Sequence, residues 1–224
     1  MSQLINSYFF DKPVHLNSFF YREDNRIEQF WTQASVPGPT LYDIPIYILT
    51  SSLTFSAAEG FSYTLQQYDR ATVVGEVTAG GAHPQRPYHS EDECITMHIP
   101  YGRAINPVSQ TNWEGTGVVP DIVVPAKEAL EVAIIDIFKA RLENETEEAV
   151  IHAIKMQIED AEARRSPVQL DHQTLLEYTG KYARGLEVGL DKGSLVLSIY
   201  RLTPMGNDKF MTDPGQEHIL FTRD

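Results

Sequence analysis

The run Thr50-Ser51-Ser52-Leu53-Thr54-Phe55-Ser56-Ala57-Ala58-Glu59 holds most of the chemistry legible in this chain. It follows an apolar, β-branched stretch and opens a segment of helical periodicity. At the carboxyl end of a strand in an open α/β sheet, the next helix offers free N–H groups and the positive end of its dipole. A serine placed there, Ser56, could attack a carbonyl carbon through Oγ while the Ala57 N–H stabilises the oxyanion. Losing one such donor typically costs about 10²–10³ in rate. The plainer alternative is that Ser52, Thr54 or Ser56 caps the helix, as small hydroxyl residues often do. Four hydroxyl residues from Ser51 to Ser56 exceed what one cap needs. Spacing alone leaves both readings open.

Other reactive side chains read more simply. His15 sits among aromatics as a packing residue. His89 and His98 lie near Cys94, Glu91 and Glu93, but the spacing matches no closed zinc pattern, so no metal and no cofactor is expected. Cys94, in an apolar run, reads as a buried structural thiol. Glu59 falls in the first turn of the helix, where its charge suits the dipole. Glu76 reads equally well as a strand-end residue and as a binder of backbone or substrate. Trp113 reads as a packing anchor, and Arg164-Arg165 as a helix-end pair offsetting the C-terminal dipole.

The elements that must position Ser56 follow from periodicity. Ile44 to Thr50 is a continuous apolar run expected of a strand covered on both faces. Thr54 is the expected N-cap of a helix from about Phe55 to Tyr68, with Ala57, Phe61, Leu65 and Tyr68 on one face. A second strand, Ala71 to Gly75, completes a parallel crossover. The Gly- and Pro-rich stretch from Thr78 to Pro87 reads as a loop, Ile95 to Pro100 as a strand, and Gly117 to Val124 as the strand that closes the sheet. The aromatic-rich opening, Leu4 to Trp31, reads as short strands and turns. Residues 126–165 form two amphipathic helices broken near Asn144. Beyond Ser166-Pro167 the chain alternates as a small β-meander about the turns Asp191-Lys192-Gly193 and Gly206-Asn207-Asp208. The expected division is 1–125, 126–165 and 166–224, with the helical segment packing on the first part.

Composition bounds the function. The 224 residues carry a net charge of -13, which disfavours nucleic acid, because such binding draws on neutralised phosphates. One cysteine excludes an internal disulfide framework. No stretch approaches the roughly 18 apolar residues of a membrane span. Met1 to Asn6 carries neither the basic nor the apolar region of a signal peptide, and the compartment of the parent, periplasmic or secreted included, is left open.

Four segments carry a resemblance: Ile46 to Ser51; Thr54-Phe55-Ser56-Ala57-Ala58-Glu59; Arg70 to Pro84, with Thr78-Ala79-Gly80-Gly81-Ala82-His83; and Trp113-Glu114-Gly115-Thr116-Gly117-Val118-Val119-Pro120-Asp121-Ile122. In this order they resemble the catalytic core of the tail-specific (C-terminal-processing) serine peptidases, nearest the branch of the tricorn core protease and the interphotoreceptor retinoid-binding protein. The resemblance covers roughly residues 1–125. It implies an α/β, crotonase-like (ClpP-like) core of stacked ββα units, here partial, followed by the helical pair and the C-terminal antiparallel meander. Ser56 falls on the family nucleophile and Ala57 on an oxyanion donor. The lysine of the Ser-Lys members has no counterpart, since that loop reads Gly80-Gly81-Ala82-His83. In the tricorn-like branch the base is an upstream histidine supported by a glutamate, which Glu114 matches. The resemblance therefore implies further strands before Met1, bearing that histidine and a Gly-rich oxyanion stretch. Within the chain the candidate base is His83, at the strand ends, since histidine titrates near neutrality. The implied partner is a peptide or protein substrate. A non-catalytic binding module for an apolar ligand or peptide is the alternative, and a bare sheet edge could pair with a second copy.

Overall fold

The computed structural model describes residues 2–92, 94–213 and 217–222. The chain forms two compact units, Met1–Leu130 and Glu131–Asp224.

In the first unit a short helix α1 (Ser2–Ser7) leads into β1 (His15–Tyr21) and β2 (Arg26–Trp31), which pair antiparallel. The opening segment thus contains a helix that its mixed aromatic and charged sequence does not advertise. Next come β3 (Tyr47–Thr50), α2 (Ala57–Gln67) and β4 (Thr72–Gly75). β3 and β4 pair in parallel, Tyr47 opposite Thr72 through Thr50 opposite Gly75, as the strand-helix-strand pattern requires. β5 (Gln85–His89) and β6 (Thr96–Pro100) form an antiparallel hairpin exposed along its length. The expected loop therefore ends at Pro84. β7 (Gly102–Ile105) returns to pair with β1, and β8 (Ile122–Val123) adds to β4 in parallel.

Two readings are corrected here. The strand before Ser56 is not covered on both faces, for Leu49 is 44% exposed. Its apolar run reflects β-branched propensity with only one face packed. Helix α2 is capped at Ser56 rather than Thr54, because the Thr54 hydroxyl closes the preceding turn by accepting from the Ser51 N–H at 3.0 Å. The buried side chains of α2 are Glu59, Ser62, Thr64 and Leu65, while Ala57 is exposed.

The core beside α2 collects Ala82, Ala104, Trp113 and Val118, with Phe19 and Tyr63 packed against it. Trp113 is the anchor its sequence suggests: its ring lies 5.4 Å from that of Tyr63, and Gly60 of α2 approaches so closely that a Cβ would fall 2.9 Å from the indole.

Helix α3 (Ala129–Leu142), which begins in the last residues of the first unit, and α4 (Glu148–Arg165), in the second, flank the expected break at Asn144. A short helix α5 (His172–Glu177) precedes six strands: β9 (Gly180–Lys181), β10 (Glu187–Asp191), β11 (Ser194–Leu197), β12 (Tyr200–Gly206), β13 (Lys209–Thr212) and β14 (His218–Leu220). They form one antiparallel meander in chain order. Lys192 and Gly193 both have positive φ, as do Asn207 and Asp208. Two-residue hairpins need this backbone to match strand twist. Leu175 and Tyr178 pack against Val188, Leu195, Leu202 and Phe210 to form this unit's core. Arg164 does more than offset a dipole: its guanidinium pairs with Glu131 at 3.0 Å and meets the Met211 sulfur.

The ends of β3 and β4 are joined tightly. Thr50 Oγ1 donates to the Glu76 carbonyl and the Glu76 N–H donates to Thr50 O. Gly75 has φ 137°, and a Cβ there would lie 2.0 Å from the Thr50 carbonyl oxygen. We expect Gly75→Ala to lower stability by at least about 2 kcal/mol, from backbone strain and collision together. A urea unfolding midpoint measures this, and an unshifted midpoint would contradict the close approach.

Candidate active site

The chain between β3 and α2 is a hydroxyl-rich turn closed by its own hydrogen bonds and tied by another to the segment after β4. The Thr54 N–H donates to Ser51 O, the Leu53 N–H to Ser51 Oγ, and the Ala79 N–H to Thr54 O. The excess of hydroxyl residues is thereby explained: Ser51 and Thr54 shape the turn, and Ser56 is the residue delivered at its end.

Ser56 has φ 56° and ψ -117°. An ordinary N-cap residue lies in the β region. Ser56 instead takes the mirror image of the (−60°, +120°) turn conformation, which glycine adopts freely and a residue with a side chain adopts at a cost of about 1–3 kcal/mol. Such a strained strand-to-helix turn projects a side chain away from the sheet, the geometry of a nucleophile elbow. Ser56 is exposed, and the Ala57 N–H behind it has no acceptor among the described residues.

Glu59 holds this turn in place. It is fully buried, yet its carboxylate accepts four hydrogen bonds: from the Ser56 N–H at 2.7 Å, Thr78 Oγ1 at 2.5 Å, the Gly80 N–H at 2.6 Å and the Gly81 N–H at 2.9 Å. Burial pushes its pKa up, but the four donors outweigh burial and hold it below the ordinary value of 4.5. Thr78 Oγ1 also accepts from the Val118 N–H, at 2.7 Å. A glutamate read as a dipole partner therefore ties the serine turn to the loop after β4 and, through Thr78, to the segment after Trp113. Its position three residues after the serine suggests half of a capping box, but its other partners lie 19 to 22 residues on, beyond any local pattern.

Glu114 plays a parallel part. Its carboxylate accepts from the Ala82 N–H at 2.6 Å and the His83 N–H at 2.9 Å, and it lies 3.8 Å from His83 Nδ1. The structure thus brings Glu114 and His83 together. It does not join His83 to Ser56, since among the described residues no histidine hydrogen-bonds to the serine. His83 Nε2 is buried without a hydrogen-bond partner among the described residues.

The remaining candidates fall away from this centre. His15 stacks on Trp31 at 4.8 Å and meets Ser18 Oγ at 2.9 Å. Glu76 accepts from the Ser52 and Ala126 N–H groups, which lower its pKa, so it binds backbone. His89 and His98 stand on the exposed β5–β6 hairpin, and Glu93 lies outside the described residues. Cys94 corrects the sequence reading, because it is exposed. Its apolar neighbours Ile95 and Met97 are exposed too, on a hairpin with no layer over it among the described residues.

Ser56 and Ala57 open onto a cleft of about 290 Å³ whose walls include Phe19, Phe30, Phe61 and Trp113. The model of peptidase family S41 matches residues 4–124. The chain belongs to peptidase family S41. Among solved structures it is similar to the photosystem II D1 C-terminal processing protease, at 18% identity over 56% of this chain and 31% of that one, with a TM-score of 0.44. It is similar to a putative peptidase from Parabacteroides merdae at 20% identity, over 55% and 40% of the two chains, with a TM-score of 0.45. Mature CPAF complexed with lactacystin gives 16% identity over 57% and 37%, with a TM-score of 0.47. The chain thus spans about a third to two fifths of the length of these proteins.

The Glu59 network makes its own demand on stability. The Glu59 pKa is lower in the folded chain than unfolded. The carboxylate therefore contributes stability that is present above about pH 4.5 and is lost as the pH falls through the depressed folded value. We expect Glu59→Gln to cost about 2–4 kcal/mol at neutral pH and to flatten the decline in stability below about pH 4.5. Urea titrations from pH 3 to 7 read both, and an undiminished acid dependence in the variant would refute the assignment.

Proposed function

We propose that Ser56 is the nucleophile of a serine peptidase that works through an acyl-enzyme. One observation carries this reading: the exposed Ser56 occupies a strained backbone turn at a helix N-terminus, beside an unclaimed Ala57 N–H and an apolar cleft. Strain of this kind is retained where function uses it. In the proposed cycle Ser56 Oγ adds to the carbonyl carbon as its proton passes to a base, and the Ala57 N–H takes up the oxyanion. The C–N bond then breaks, the amine leaves with that proton, and water cleaves the ester. Glu114 fixes the loop carrying His83, and we assign His83 the role of base within the chain. The crotonase-like core and the tricorn-like branch are the finer form of this reading, supported by the order of the Ser56, Gly80-Gly81 and Trp113-Glu114 motifs. The substrate class it implies is a peptide or protein.

A second reading, a binding module of the same fold, is favoured by the absence of any histidine hydrogen bond to Ser56 among the described residues.

A fluorophosphonate probe separates the two. On the peptidase reading, mass spectrometry finds the adduct on Ser56 and none in Ser56→Ala. His83→Gln should then slow labelling by about 10²-fold or more. Unslowed labelling in His83→Gln would move the base outside the residues named. No adduct on this chain would leave the binding module standing.

A further inference from the structure

One face of α2 forms a wall of the cleft. Ala57, Gly60, Phe61 and Thr64 line it at helical spacing, beginning one residue after Ser56. The Gly60 N–H donates to Ser56 O at 3.0 Å, and Gly60 lies one turn, about 5–6 Å, along the axis from the serine. That is the reach of a side chain whose carbonyl is held at Ser56.

The other walls include Leu16, Phe19, Phe30 and Trp113, and no lining residue among those described is charged. Polar liners are largely spent. Thr64 Oγ1 donates to Leu16 O and Gln3 Nε2 to Trp31 O, while Trp113 Nε1 is sealed from solvent, so the indole shows the cleft only carbon. A charged side chain entering this space would lose its water and gain no counter-charge.

Gly60 is the lining residue whose type needs an account. Glycine weakens a helix interior relative to alanine. Gly60 has helical backbone rather than positive φ, so its conformation does not demand glycine. Contact does: a Cβ there would fall 2.9 Å from Cη2 and 3.3 Å from Cζ2 of Trp113. The bare backbone lets the indole lie against α2 and leaves about 290 Å³ free beside Ser56, room for one side chain rather than an extended molecule. Trp113 is 5% exposed and clusters with Ala82, Ala104 and Val118, so an indole pushed off α2 has the cleft as its open space.

We propose that this cleft receives one large uncharged apolar side chain, of the size of phenylalanine or leucine, and that Gly60 is the specificity-determining residue that keeps it open to that size. That the side chain belongs to the residue supplying the acyl group rests on the peptidase reading, whereas the cleft's selection by size and charge does not.

Peptidyl diphenyl phosphonates that differ only in the side chain beside phosphorus, benzyl, methyl or carboxyethyl, test this through their rates of labelling Ser56. The benzyl probe should react at least about tenfold faster than the methyl probe, since an apolar pocket discriminates by about 10–200-fold per methylene. The carboxyethyl probe should be slowest. Gly60→Ala should cut the benzyl-over-methyl ratio about tenfold. Adding Trp113→Phe, which removes the indole atoms the new methyl would meet, should restore it. Should Gly60→Ala fail to fold, Trp113→Phe alone should move the preference from benzyl to the larger indolylmethyl side chain, and no such move would overturn the proposal. Equal rates for the three side chains overturn it as well, as does an unchanged ratio in folded Gly60→Ala. Toluene gives a readout free of chemistry: it should shift the Trp113 indole signal in proton–nitrogen correlation spectra and bind about tenfold more weakly to Gly60→Ala. Such binding without labelling by any phosphonate would uphold the pocket and sink the peptidase reading. Labelling with no side-chain preference and no toluene binding would do the reverse.

Discussion

A carboxylate sealed from water must find donors or give up its charge. Glu59 finds four, and they come from two stretches of chain separated by the length of α2 and β4. Together with the Ala79 N–H to Thr54 O bond, this group sets the position of the Ser56 turn relative to the loop at Gly80-Gly81. Locally the serine turn is closed by the Ala58 N–H to Phe55 O bond, at 3.3 Å, since the turn's own hydroxyls are engaged upstream. Thr78 extends the same network to Val118, and Glu114 fastens the next two residues of the loop. The candidate site is thus organised by carboxylates gripping backbone N–H groups, a rigid linkage because peptide units lack the rotamers of side chains.

How legible this was depends on the range of the interaction. The parallel β3–α2–β4 unit and the meander of the second unit follow from periodicity and turn residues, which are local signals, and both were readable. Ser56 and Glu114 stood out through the order of the family motifs. Glu59 did not, because a glutamate at the third helical position has a sufficient local explanation and its long-range partners are backbone groups without sequence identity. The N-cap was misplaced by two residues because Thr54 and Ser56 are equivalent as caps, and only the competition for the Thr54 hydroxyl separates them. Leu49 and Cys94 were read as buried since apolar runs report propensity and say nothing of whether a second layer covers them.

The two carboxylates divide their labour by burial. Glu59, withdrawn from solvent, is structural in the strict sense that its charge is satisfied entirely by the protein. Glu114 is exposed and retains access to the His83 ring at 3.8 Å, so a small rotation of either side chain could convert a backbone clamp into a partner for the imidazole. Gly81, Ala82 and Pro84 of the same loop line the cleft, with His83 between them in the chain.

The backbone at Ser56 has an evolutionary corollary. A residue with a Cβ is the wrong choice for that turn on folding grounds, and glycine would relax it at once. A lineage freed from using the hydroxyl would gain robustness by discarding it. On the peptidase reading proposed above, serine retained at this spot would mark continued use of the hydroxyl, which can be looked for in any descendant gene, independent of any assay.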